Sequence, residues 1–139
     1  MKPNGKMMQI EKIQSDQEEL AIIVRSQFHQ EGIKFVTPDD SIIQMGYMSY
    51  EKGKEIKAHV HKPFRRETYG TQEVLFVKKG KVQVDFFSTE KEHVSSKILE
   101  KNDWLVLLAG GHSFKVLEDV QMIEVKNGPY AGDQDKTRF

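Results

Sequence analysis

Hydrophobic and polar residues alternate along most of the chain, in short runs separated by turn residues. In Val74–Phe87, β-branched and aromatic residues alternate with polar ones around Gly80, without a 3.6-residue period. This pattern is typical of β-strands joined by tight turns. It predicts eight strands, at Ser41–Tyr50, Glu55–Lys62, Thr71–Val77, Lys81–Ser88, Ser95–Leu99, Trp104–Leu108, His112–Leu117 and Val120–Val125. We therefore expect an all-β barrel or jelly roll.

The segment Gln14–Gln27 is compatible with two structures. Leu20, Ile23 and Val24 could form the apolar face of a short helix that packs on the barrel. The run Ile22-Ile23-Val24 fits an edge strand equally well. Both alternatives stay open at this point.

The rest of the pattern predicts a single domain over residues 1–139. Its core is expected at about 41–125, after an N-terminal extension (1–40) and before a C-terminal tail (126–139). The tail is polar and rich in turn residues, which predicts a surface extension. Tyr130 and Phe139 could anchor this tail to a neighbouring subunit.

Charge and composition exclude several classes of partner. The chain has 21 basic and 21 acidic residues and no basic block, so nucleic acid is not an expected partner. It has neither the apolar core of a signal peptide nor a run long enough to span a membrane, so we expect a cytoplasmic protein. Because there is no cysteine, a metal would have to be bound by nitrogen and oxygen.

His59 and His61 are the clearest chemical signal. Side chains at positions i and i+2 of a strand leave the same face, so the two imidazoles can enter one cavity. Further along the chain, Glu73 opens a strand–turn–strand segment and His112 follows two glycines. This set favours a metal site, although a polar strand face with a hydrogen-bonded core histidine is the alternative interpretation.

Two carboxylates compete for the oxygen-ligand position. Glu67 is nearer to His61 in sequence, but no turn follows it at the required distance. Glu73 precedes a hairpin sequence centred on Lys79-Gly80, so Glu73 is the preferred ligand.

The first group of these residues resembles the first motif of the cupin superfamily. That motif runs Gly, five residues, His-x-His, three or four residues, Glu, six residues, Gly. The chain matches it at Gly53, His59, His61, Glu73 and Gly80. It departs by having eleven residues between the second His and the Glu.

The second cupin motif is matched less completely. Gly110 and His112 correspond to its Gly and His, with one residue fewer between them, and Val116 stands where an Asn is expected. The resemblance covers about Ser41 to Val125.

The resemblance implies a cupin-type jelly-roll barrel, also called a double-stranded β-helix. It further implies a divalent transition metal (Fe, Mn, Ni, Co, Cu or Zn) bound by His59, His61, Glu73 and His112. An octahedral ion would keep two positions for water or substrate. A homodimer and a small-molecule ligand are also implied.

The insertion between His61 and Glu73 is expected at the mouth of the cavity. Arg65 and Arg66 could bind a substrate carboxylate or phosphate, and Tyr69 could stack on the substrate or act as the catalytic acid. An exposed charged loop is the alternative for this segment.

Three functions are compatible with these residues. The first is a metal-dependent enzyme acting on a small polar molecule, as a dioxygenase, isomerase or lyase. The second is a carbohydrate or nucleotide-sugar isomerase or epimerase that does not rely on metal, with His59 or His61 as the base and Tyr69 as the acid. The third is a non-catalytic module that binds a small ligand. Fold alone does not choose among them.

Overall fold

The computed structural model describes residues 9–139, and its regular structure is almost entirely β. The strands are β1 (Ile10–Gln14), β2 (Glu19–Val24), β3 (Gly32–Phe35), β4 (Gly46–Ser49), β5 (Glu73–Phe87), β6 (His93–Glu100), β7 (Trp104–Leu107) and β8 (Gly111–Lys126). A single 3-10 turn, Gly132–Asp135, lies in the C-terminal tail. The prediction of an all-β fold is confirmed.

Six of these strands form one antiparallel sheet that curls into a half-barrel. Their order is β1-β2-β7-β5-β6, and β8 pairs with the other side of β5. Side chains connect β1 and β6, which stand at the two ends of this strand order: the ammonium group of Lys97 on β6 lies 3.3 Å from the carboxylate of Glu11 on β1. The guanidinium of Arg25 also donates a 2.7 Å hydrogen bond to the carbonyl oxygen of Ile98. β3 and β4 form a separate hairpin.

The long ribbon of β5 and β8 folds back on itself near its middle. Glu73 pairs with Lys126 at one end of the ribbon, and Phe86 pairs with His112 at the other. Register shifts interrupt the ladder between Val77 and Val82. A straight strand would separate positions 73 and 86 by about 44 Å. Because the Glu73 and His112 side chains lie within 3.5 Å of each other, the ribbon must bend by a large angle.

Gly80 permits this bend. It has a φ of 88°, which only glycine adopts without strain, and a Cβ there would lie 2.0 Å from the carbonyl oxygen of Asp119. The predicted tight turn at Lys79-Gly80 is therefore a bend within one continuous strand. In the same way, the predicted strands His112–Leu117 and Val120–Val125 are two halves of β8.

Each face of the sheet carries its own apolar cluster. The inner cluster includes Leu75, Val77, Val82, Val84 and Phe86 from β5. The outer cluster is smaller and is built on Ile22, Val24, Val74 and Val106, with the chain around the β3–β4 hairpin packed against it.

β2 lies inside the sheet, between β1 and β7. The segment Gln14–Gln27 thus contains no helix, and the edge-strand alternative is also wrong because β2 has a neighbour on each side. Its residues Leu20–Val24 are buried and contribute to both clusters. The segment assigned to an N-terminal extension therefore supplies part of the core.

Two predicted strands are corrected by the structure. Only Gly46–Ser49 of the segment Ser41–Tyr50 is a strand. The segment Glu55–Lys62 is not a strand at all, and its residues are exposed. A strand requires a hydrogen-bonded neighbour, and this segment has none in the described chain. Within residues 9–139, no helix is long and apolar enough to cross a membrane.

Candidate functional site at the mouth of the half-barrel

Glu73 and His112 meet on the inner face of the half-barrel. Glu73 opens β5 opposite Leu107, and His112, the second residue of β8, pairs with Phe86, so both side chains share the face of the inner cluster. The bend of the ribbon brings Oε2 of Glu73 to 3.5 Å from Nε2 of His112. The structure therefore places together two of the four predicted metal ligands.

The pKa shifts of both Glu73 and His112 favour the neutral form of the side chain. Burial raises the pKa of Glu73 to about 7, and the nearby carboxylate of Glu124 adds to the shift. Burial also lowers the pKa of His112. The positive charge of Lys136 lowers both pKa values, although it is a smaller influence than burial. A neutral imidazole beside a carboxyl group has a lone pair available for a proton or a cation.

A cavity of about 750 Å³ surrounds this pair. Its lining is mixed, with apolar surface from Phe87 and Leu107 and hydroxyl groups from Thr71 and Ser88. This volume is in the range of pockets that hold small molecules.

The C-terminal tail forms one wall of the cavity, which the sequence did not indicate. The ring of Phe139 packs edge-on against Phe87, 5.2 Å between centroids, and lies over Gly111. Asp135 is held by Lys126 at 3.8 Å and by the Thr71 hydroxyl at 3.4 Å. Phe139 thus packs against its own chain, and the anchoring of the tail to a neighbouring subunit stays a prediction.

His59 and His61 lie elsewhere, on a segment that we call the arm, residues 51–69. Their rings are 5.4 Å apart between centroids, so the predicted pairing of these two side chains is present. The arm is exposed throughout, and the side chain of Val60 between them is 88% exposed. In this chain the two histidines therefore do not join Glu73 and His112.

The predicted substrate-binding residues are also on the arm. Arg65 pairs with Glu67 at 2.9 Å in solvent, and Arg66 lies over the ring of Phe64. Tyr69 is fully exposed. None of these side chains lines the cavity around Glu73. Glu67 pairs with Arg65 on the arm, whereas Glu73 lies beside His112.

The four predicted ligands thus form two separate pairs. Across residues 9–139, no group of three or more His, Asp or Glu side chains is arranged to hold a metal ion. Each pair alone offers two donors, whereas a stable site for a transition metal uses at least three protein ligands.

Comparison with protein-family models, with curated proteins and with solved structures gives no significant match. The class that the structure defines is therefore an all-β protein with a half-barrel sheet and a small-molecule-sized cavity at its mouth.

Proposed function

We propose that this protein is a cupin-type, metal-dependent enzyme acting on a small polar molecule. In this proposal Glu73 and His112 supply the metal ligands of the sheet, and His59 and His61 supply the ligands of the arm. The observation that carries the proposal is the contact between Glu73 and His112. A ribbon that folds through a large angle to bring these two donors into one cavity is the topology expected of the jelly roll.

The chemistry of the two donors fits a divalent cation. Glu73 is only 7% exposed, and no Lys or Arg of the described chain lies within 4 Å of its carboxylate. A buried carboxyl group either takes up a proton or is compensated by a positive charge, and a metal ion would supply that charge. Three imidazoles and one carboxylate suit Fe, Mn, Co, Ni, Cu or Zn. The bound ion would supply Lewis-acid chemistry to a ligand in the cavity.

The rest of the cavity serves to bind and orient that ligand. Phe87 and Leu107 exclude water on one side, and Ser88 offers a hydrogen-bonding hydroxyl. Lys91, Lys136 and Arg138 line the same cavity beside the acidic Glu73 and Asp135, so the lining offers basic side chains that could bind an anionic group of the ligand.

Metal content is the direct test of this proposal. Protein purified without an affinity tag should contain one transition-metal ion per chain, and both Glu73→Gln and His112→Ala should lose it. His29→Ala is the matched control, because His29 is exposed and bonds to Tyr47 and Glu31 instead. An absence of metal in the wild type, or its retention in both site variants, would contradict the proposal.

A thermal readout supplies a second measurement. At a free-metal concentration about one hundred times the dissociation constant, the wild type should gain about 2.7 kcal/mol of stability. The two site variants should show little of this gain, and the His29→Ala control should show all of it.

A metal-independent isomerase or epimerase is the second candidate, and one observation favours it. Glu73 and His112 form a pair of proton-transferring groups in the cavity without any contribution from the arm. The acid and base would then be these two residues, in place of Tyr69 and the arm histidines. A metal-free wild type that is stabilised by sugar nucleotides would support this candidate, and the absence of stabilisation by any of them would oppose it.

A further inference from the structure

We propose that the C-terminal tail recognises the ligand of the cavity through an anion-binding subsite. Its Lys136 and Arg138, together with Lys91 from the turn between β5 and β6, bind a group of the phosphate or carboxylate type. We call these three side chains the anion subsite. The subsite rests on the proposed function only because it lies in the cavity proposed to hold the ligand, and it does not require the metal ion.

The tail contacts the body of the protein on both sides of its two basic residues. Asp135 is held by an ion pair of 3.8 Å with β8 and by a hydrogen bond of 3.4 Å from the segment before β5. Further along, Phe139 packs edge-on against Phe87, with 5.2 Å between the ring centroids. Lys136 and Arg138 lie between these contacts, so they are kept at the cavity that they line.

Basic groups outnumber carboxylates in the lining of the cavity. The three basic side chains of the anion subsite line it together with two carboxylates, those of Glu73 and Asp135. Asp135 already pairs with Lys126, and Glu73 contacts a histidine. Within residues 9–139, no acidic oxygen lies within 4 Å of the ammonium group of Lys91 or Lys136. The lining therefore carries positive charge without a close partner in the described chain, and such a cavity concentrates anions.

Lys136 lies close enough to the Glu73–His112 pair to act on both groups. Burial is the main influence on each, raising the pKa of Glu73 and lowering the pKa of His112, and the positive charge of Lys136 lowers both pKa values. Because such an influence weakens with distance, Lys136 is near both side chains. An anionic group held by Lys136 therefore leaves the remainder of a small molecule beside Glu73 and His112.

The guanidinium of Arg138 retains most of its hydrogen-bonding capacity. One of its N–H groups donates to Asp133 at 3.2 Å, in a pair whose side chains are 74% and 81% exposed. An exposed pair of this kind is weak, and a guanidinium has five N–H donors in a fork that matches phosphate and carboxylate oxygens. The hydroxyl group of Ser88 lines the same cavity and is a further donor. Arg138 is therefore suited to a bidentate contact with an anionic group.

Lys91 has a backbone conformation that favours glycine. Its φ is 71°, in a turn closed by a 2.8 Å hydrogen bond from the Ser88 N–H to the Glu92 carbonyl oxygen. Few residues other than glycine adopt a positive φ, and those that do often lie at functional sites. The ammonium group of Lys91 lies 5.7 Å from the centre of the Phe139 ring. Lys91 therefore places its charge beside the tail from a position where glycine would be less strained.

Titration with inorganic phosphate tests the anion subsite. The protein as purified is titrated in Tris buffer, and the Kd is obtained from the rise in Tm with phosphate relative to sodium chloride at the same ionic strength. The wild type should show this rise, and the double variant Lys136→Gln with Arg138→Gln should raise the Kd at least about tenfold, because charged hydrogen bonds are lost. Lys34→Gln with Lys101→Gln removes the same charge at exposed positions outside the cavity and should keep the wild-type Kd.

Malonate, titrated in the same way, distinguishes the two kinds of anionic group. A response to phosphate alone assigns a phosphate group to the ligand, and a response to malonate alone assigns a carboxylate. The double variant should lose whichever response the wild type shows.

The variant Lys91→Gly separates anion binding from stability. Glycine adopts a φ of 71° without strain, so the urea midpoint should be unchanged or higher. The Kd for phosphate should nevertheless rise several-fold. A lysine with only a structural role would give the opposite result, which is a lower urea midpoint with an unchanged Kd.

The variant Phe139→Ala tests whether the docked tail positions the subsite. Removing the ring that packs on Phe87 should raise the Kd for phosphate, although Lys136 and Arg138 are intact. Tyr130→Ala is the control, because Tyr130 is on the same tail but is 87% exposed and outside the cavity lining. An equal Kd in both variants would contradict the positioning role of Phe139.

The outcomes separate the subsite from the metal function. The subsite is overturned if the wild type responds to neither anion, if the Lys136/Arg138 variant keeps the wild-type Kd, or if the Lys34/Lys101 control loses affinity equally. Each titration is repeated after the metal has been removed by chelation and the chelator has been dialysed away. Phosphate binding that depends on metal but not on Lys136 and Arg138 also overturns the subsite. A metal-free wild type that binds phosphate through Lys136 and Arg138 supports the subsite and contradicts the metal function.

Discussion

The Asp103 side chain connects the end of β2 with the turn between β6 and β7, so removing its carboxylate should destabilise the fold strongly. Its side chain is nearly buried, with the residue only 4% exposed. Oδ1 accepts a hydrogen bond from the Ser26 N–H at 2.9 Å, and Oδ2 accepts one from the Glu100 N–H at 2.8 Å. Oδ2 also accepts from the Arg25 guanidinium at 3.1 Å. This one carboxylate therefore links the end of β2 to the β6–β7 turn.

The substitution Asp103→Ala should cost about 3–5 kcal/mol of unfolding free energy. Ordinary hydrogen bonds contribute about 1 kcal/mol each and charged ones about 1.5–3 kcal/mol. The substitution also leaves Arg25 without one of its acidic partners in a partly buried position, and breaking such a pair typically costs about 3–5 kcal/mol. For a chain of this size the loss corresponds to a fall in Tm of roughly 10–20 °C.

Urea unfolding followed by circular dichroism measures this loss. Asp133→Ala is the matched control, because Asp133 pairs with Arg138 at 3.2 Å at a highly exposed position. An exposed pair of this kind contributes about 0–1 kcal/mol. If Asp103→Ala lowered the free energy of unfolding no more than Asp133→Ala, the conclusion that the hydrogen bonds of Asp103 stabilise the fold would be refuted.

Two further predictions concern an edge ion pair and the bend in the ribbon. Burial alone would raise the pKa of Glu11, but the hydrogen bond and charge of Arg25 bring it below its usual range. Because the pKa of Glu11 is lower in the folded state, its carboxylate stabilises the fold above the unfolded-state pKa, and this contribution is lost as pH falls through the folded-state pKa. Glu11→Gln should therefore lower the free energy of unfolding less at about pH 3 than at about pH 7, as measured by urea unfolding. An equal loss at both pH values would contradict this assignment. Gly80→Ala should lower the free energy of unfolding by about 3 kcal/mol or more. The Cβ of the alanine would collide with the Asp119 carbonyl oxygen, and the positive φ would add strain. Gly53→Ala is its control in the same unfolding assay, since Gly53 has a similar φ but open space around it, and equal costs would show that the bend tolerates a side chain.

Alternation predicted the residues of β5 to β8, did not predict β1 or β3, and failed where burial or pairing differs from the simple case. The halves of β5 were predicted because apolar residues face the inner cluster and polar residues do not. β2 was missed as an interior strand because Leu20–Val24 is buried on both faces and therefore shows no alternation. Polar and apolar residues alternate well in Glu55–Lys62. Alternation indicates which face of a strand is apolar, but it does not show that a neighbouring strand exists, and the described chain supplies none for this segment.

The same distinction explains the candidate site. The resemblance placed Glu73 and His112 in one site, and the structure brings them into contact through a ribbon bend at Gly80, where the sequence had predicted a hairpin turn. The meeting of His59 and His61 follows from their spacing alone. Whether the two pairs combine depends on where the arm lies, and no local pattern specifies that. Phe139 was a candidate anchor of the tail, but nothing in the polar segment 126–139 indicated that the tail lines a cavity.

A crystal structure of untagged protein, with data collected at the absorption edge of its bound metal, tests the central claim most directly. We predict one anomalous peak per chain at about 2.0–2.2 Å from a Glu73 oxygen and a His112 ring nitrogen, with His59 and His61 completing the coordination. A structure in which Glu73 and His112 remain in contact with no anomalous peak between them would contradict the account.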